Sequence, residues 1–81
     1  MVDLKQLLTD ITSALVDNPQ EISIEEEIEG DEVTLYLSVA DGDMGKVIGK
    51  HGRIAKAIRM VMKAAANTIN RRVNVEIVDK E

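Results

Sequence analysis

Apolar residues recur at helical spacing at Leu4, Leu7, Leu8, Ile11 and Leu15, which predicts an amphipathic helix running to about Val16. Asp3, with Gln6 three residues on, has the form of a capping pair at its start. Asn18-Pro19 ends it, because proline lacks the amide donor and disfavours helical geometry at the residue before it. The period then drops to two. Ile22, Ile24 and Ile28 alternate with Ser23, Glu25 and Glu27, although Glu26 interrupts the apolar face. After Gly30-Asp31, Val33, Leu35, Leu37 and Val39 alternate with Thr34, Tyr36 and Ser38, so the pair reads as a hairpin with one wet face. Asp41, Gly42 and Asp43 predict a second turn, with Asp43 placed to cap a short helix over residues 44–48.

From Arg53 the helical period returns. Ile54, Ala57, Ile58, Val61, Met62, Ala65, Thr68 and Ile69 fall on one half of a wheel, and Arg53, Lys56, Arg59, Lys63, Asn67 and Asn70 on the remaining third. This predicts one helix of about 17 residues, roughly 25 Å long, with an inward face and a basic stripe. Val73, Val75 and Ile77 then alternate with Asn74, Glu76 and Val78 as a closing strand. The element order is α-β-β-α-α-β. Three half-buried strands covered on one face by three amphipathic helices make an α+β two-layer sandwich. The connection from Val39 to Val73 passes through helices, so those strands should be parallel with a right-handed crossover, and the three-stranded sheet mixed.

At 81 residues the chain is read as one domain, near the small end of what folds alone, so a core shared with a partner is a live expectation. It has no cysteine, no apolar run of membrane-spanning length and no signal-peptide pattern, and is read as soluble and cytoplasmic, without membrane association. The net charge of −5 argues against a polyanionic ligand only until its distribution is seen. Residues 1–43 hold twelve acids against the single cation Lys5, whereas residues 44–72 hold eight Lys or Arg and no acid. A ligand at the basic stripe senses charges within about 8 Å at physiological salt, so the stripe outweighs the distant acids.

The basic segment starts with Gly49 and Gly52 bracketing Lys50 and His51, which predicts a tight turn between two helices. Such a turn leaves backbone N–H groups exposed at the start of the following helix, an anion site to which Lys50 adds a mobile charge and Arg53 a planar fork. Two positions without side chains let a phosphodiester approach the main chain. Val47, Ile48 and Ile54 are the nearest apolar residues for bases. A nucleotide-hydrolase loop does not fit, because the Gly45 to Lys50 spacing is one residue short and His51 stands where a hydroxyl is needed. His51 is the only histidine and lacks partners for a metal or general-base role, so neither cofactor nor metal is expected. With Tyr36 the only aromatic residue, recognition by stacking on the sheet is also not expected.

The run Val47-Ile48-Gly49-Lys50-His51-Gly52-Arg53 resembles the VIGxxG signature of KH domains, whose GXXG loop clamps about four nucleotides of single-stranded RNA. The element order resembles the bacterial, type II arrangement, and the likeness extends over essentially the whole chain. Carried over, Gly49 and Gly52 are the loop glycines, Lys50 and His51 the pair facing phosphate, Ile48 the apolar residue of the groove and Arg53 the first exposed helical position. Lys46, Val47, Ile54 and Lys56 complete the expected RNA-contacting set. Many KH motifs place isoleucine three residues after the second glycine, where this chain has Ala55 and an isoleucine one position earlier. The resemblance to small bacterial single-KH proteins implies RNA binding without catalysis and an RNA-chaperone role. It also implies pairing with a second KH protein and a link to cell elongation and envelope homeostasis.

The competing reading is a protein-interaction module of the same fold without significant RNA binding. Met60, with Ala57 and Ala64 beside Val61, forms a small apolar strip next to the basic one, and is the candidate contact of a homodimer or heterodimer. The two readings are compatible, since joining two weak RNA clamps raises avidity.

Overall fold

The N-terminal helical period becomes α1 (Leu4–Leu15) in a computed structural model that describes residues 2–79. Asp3 caps it, its carboxylate accepting from the Gln6 amide at 3.1 Å. Gln6 does not return the bond. Its Nε2 donates to Asp10 Oδ1 at 2.8 Å, so only half of the predicted capping pair forms. The alternating segments become β1 (Ser23–Glu29) and β2 (Glu32–Ser38), antiparallel and joined by the two-residue turn Gly30-Asp31 with Gly30 at φ +61°. α2 (Met44–Ile48) and α3 (Arg53–Asn67) follow, then β3 (Arg72–Ile77), which pairs parallel to β2 in the register Leu35 opposite Val75. The sheet order is β1-β2-β3, a mixed sheet in an α-β-β-α-α-β chain.

Alternation on the central strand sets the core. Val33, Leu35, Leu37 and Val39 are buried, and meet Leu4 and Leu8 of α1, Val47 of α2, Ile58, Met62 and Ala66 of α3 and Val75 of β3 in one cluster. Leu8, Leu35, Leu37 and Met62 are wholly enclosed, and each such side chain contributes about 2–3 kcal/mol by leaving water. β1 is less covered than the alternation predicts. Glu26 and Ile28 share the inner face with Leu35 and Val33, yet both are exposed, Ile28 at 59%. An edge strand carrying an inward-facing charge is a poor template for pairing with another sheet.

Two sequence expectations are corrected here. The buried arc of α3 is rotated: Ala55, Ile58, Met62 and Ala66 are buried, while Ala57, Val61 and Thr68, expected inward, are exposed. The rotation buries Ala55 and Ala66 and brings Arg59 to β3, where its Nε donates to the Val75 carbonyl at 3.1 Å. α3 is also two residues shorter than the predicted 17, at 15 residues. Beyond its C-cap Thr68 the chain closes with Asn70 N–H to Asn67 O at 3.3 Å and Arg71 N–H to Ala66 O at 3.0 Å, Asn70 being left-handed at φ 57°.

The second correction concerns Asp43. It makes no capping bond to α2. Its carboxylate is 1% exposed and turns back to the chain after α1, accepting from the amides of Asp17 (3.2 Å) and Asn18 (3.0 Å), from Asn18 Nδ2 (3.2 Å) and from Lys46 Nζ (3.4 Å). Two unpaired amides in the connection after a helix are stronger claimants for a buried carboxylate than the solvated start of a one-turn helix.

Candidate nucleic-acid interface

The loop between α2 and α3 is built from positive-φ backbone conformations at three of four successive residues. Gly49 adopts φ 76°, ψ 171°, a region essentially closed to side chains, and a Cβ built there would lie 2.5 Å from Ile54 Cγ1. Gly52 is left-handed at φ 73°, ψ 15°, with open space where its Cβ would be. Between them His51, with φ 59° and ψ 24°, is left-handed without being glycine. Ile54 lies over Gly49 and is half-buried, while Ala55 is in the core at 4% exposed, so Ile54 is the isoleucine beside the loop.

The amides divide into used and free. Gly49 N–H donates to Gly45 O (2.9 Å), Gly52 N–H to Gly49 O (3.1 Å) and Arg53 N–H to Lys50 O. The turn thus uses the first amide of α3 for itself. The amides of Lys50 and His51 precede these closing bonds and have no partner within the turn itself. These two adjacent donors, under exposed side chains of Lys50 and His51 and beside exposed Arg53 and Lys56, form the anion-facing surface of the loop.

Of the expected contact set, one member is buried and another is engaged in ion pairs. Val47 is 0% exposed and belongs to the core, so it has no surface to offer a base. Lys46 is ion-paired with Asp17 at 3.0 Å and Asp43 at 3.4 Å, and the Asp17 hydrogen bond and charge hold its ammonium above the usual lysine range. Ile48, 38% exposed, remains the apolar candidate next to the loop.

Sequence reasoning missed a groove that continues from α3 onto the free edge of β3. It encloses about 410 Å³ between Arg59, Lys63 and Asn67 on the helix and Arg72, Asn74 and Glu76 on the strand. Arg72 and Asn74 carry no motif. Only the parallel placement of β3 beside β2 and under α3 brings them to the basic stripe. The outward face of the sheet is acidic over β1 and β2, with Glu25, Glu27, Glu29 and Glu32 in register around Tyr36, and at its β3 edge Glu32 and Glu76 border the groove beside Arg72 and Asn74. Tyr36 donates to Glu27 Oε1 at 3.2 Å, and the Glu27 charge foremost pushes its phenol above the usual range. No group of His, Cys, Asp and Glu among the described residues has a metal-holding arrangement.

With this geometry in place, the family model described as KhpA/KhpB, KH domain, matches residues 5–77. The chain belongs to the KhpA/KhpB KH-domain family. It is similar to a protein named RNA-binding protein KhpA from Clostridium acetobutylicum, 56% identical over 75 residues that span 93% of this chain and 100% of that relative. The KhpA of Clostridium perfringens is 49% identical over the same shares. That of Halalkalibacterium halodurans is 47% identical over 94% of this chain and 100% of its own length.

Proposed function

We propose that this chain is a non-catalytic RNA-binding protein that clamps single-stranded RNA at its GKHG loop. The observation that carries the reading is the loop itself, two glycines at positive φ around Lys50 and His51, whose amides the turn does not use for its own closure and whose side chains are exposed beside further exposed cations. A phosphodiester accepts from those amides, Lys50 and Arg53 neutralise it, and Gly49 and Gly52 keep side chains out of its path. Bases then meet Ile48 and Ile54, and the strand continues along Lys56 toward the groove beside β3. The names of the relatives support RNA as the ligand.

In the cell the reading is that of a cytoplasmic RNA chaperone acting with a KhpB-like partner, with consequences for cell elongation and envelope homeostasis; the family description, which joins KhpA and KhpB, supports that pairing. No helix among the described residues is long and apolar enough to cross a membrane. The alternative, an interaction module that binds no RNA, draws on the exposed strip of Ala57, Met60, Val61 and Ala64. That strip equally serves a homodimer or a KhpB-like heterodimer of RNA-binding subunits.

The deciding experiment replaces Lys50 and His51 together by Asp and measures RNA retardation alongside the thermal midpoint. Both side chains are exposed, so the midpoint should hold while binding falls at least tenfold. Retained binding at an unchanged midpoint would remove the loop from the interface.

A further inference from the structure

α2 is five residues long and leads directly into Gly49, so its orientation sets where the loop begins. Its one fully buried side chain is Val47; Met44 is only half-covered, and a methionine chain is too adaptable to fix an angle. A short helix held at one point can pivot. The second fixed point is electrostatic: Asp43, immediately before the helix, accepts three hydrogen bonds from Asp17 and Asn18 and a fourth from Lys46, one turn into α2. Lys46 closes the arrangement through Asp17.

Building on the RNA-binding reading above, we infer that Asp43 is a positioning residue for the GKHG loop. Through Asp17, Asn18 and Lys46 it ties α2 to the connection between α1 and β1. Lys46 belongs to this tie and is not a phosphate contact. The loop amides are thereby held at a fixed angle to α3, which is rooted separately in the core through Ile58 and Met62.

The inference predicts an effect of unusual sign. On charge alone, removing an acid near a basic RNA-binding surface should strengthen binding. A positioning role predicts the reverse for Asp43→Asn: the isosteric amide cannot accept from all four donors, and the loop loses its fixed angle. Binding of a fluorescein-labelled oligouridylate, measured at a temperature where circular dichroism shows the variant folded, should weaken about tenfold. Amide exchange at Lys50 and His51 should speed up. Lys46→Met, an exposed change that keeps the aliphatic stem, serves if Asp43→Asn does not fold. It should weaken binding while leaving the slope of log affinity against log salt unchanged, whereas loss of a phosphate contact flattens that slope by about 0.7. A folded Asp43→Asn that binds as well as or better than the wild type overturns the inference, as does a flattened slope or an unchanged affinity for Lys46→Met. A wild-type protein that does not bind the oligouridylate at all sinks the RNA-binding reading itself, and the inference with it.

Discussion

Gly49 and Gly52 are equivalent in the motif and unequal in the structure. A methyl at Gly49 meets both a forbidden backbone region and the Ile54 side chain at 2.5 Å, whereas at Gly52 it meets only the left-handed penalty in open space. Gly49→Ala should therefore cost about 2–4 kcal/mol and Gly52→Ala about 1 kcal/mol in urea unfolding midpoints. Equal losses would contradict the Gly49–Ile54 contact. Thr12 offers the opposite case. Its side chain is fully enclosed on α1, and its hydroxyl has no hydrogen-bond partner among the described residues. Thr12→Val keeps the shape and removes an unsatisfied group, and should raise stability by about 1 kcal/mol by the same measurement.

At the scale of elements, periodicity names α1, α3 and the three strands, because each has a run of apolar side chains that one packed layer must hide, whereas α2 follows from the turn before it. What it missed were relations between elements. A wheel that weighs hydrophobicity alone includes Ala57 and Val61 in the inward arc of α3, and the structure instead buries Ala55 and Ala66. Asp43 has every local mark of an N-cap, and only tertiary contact with residues 17 and 18 redirects it. The loop itself was legible, since glycine spacing and charge are local. Which amides it leaves free was not, since that depends on the turn bonds. The Asp43 tie also has a pH signature. Burial alone would raise its carboxyl, but hydrogen bonds from the Asp17 amide, Asn18 and Lys46 win and hold it below the ordinary 3.8. A depressed carboxyl contributes stability above its unfolded value and loses it as pH falls through the folded value. The thermal midpoint of the wild type should thus fall below pH 3.8 more steeply than that of Asp43→Asn, which starts lower at neutral pH and lacks this titration.

Across the whole molecule, charge is unevenly spread: acids predominate over β1 and β2 on the open side of the sheet, cations along α3, its loop and Arg72. RNA approaching from the acidic side is repelled and from the basic side attracted, which orients an encounter without a large net charge. Neutralising about three phosphates per chain gives a slope of log affinity against log salt near −2. The exposed strip of Ala57, Met60, Val61 and Ala64 lies on the same helix beside the basic stripe, so subunits joined there would set two stripes side by side. A dimer engaging one strand with both clamps should double the slope to about −4 at protein concentrations where sedimentation shows dimers. Met60→Ser with Val61→Ser changes no charge and touches side chains that are 65% and 50% exposed, so the thermal midpoint should move little. The double variant should sediment as a monomer, return the slope to about −2 and bind a long strand ten- to a hundredfold more weakly, while binding of a strand too short to span two clamps stays unchanged. A wild type that sediments as a monomer at every concentration excludes the homodimer, and leaves the strip to a heterologous KH partner.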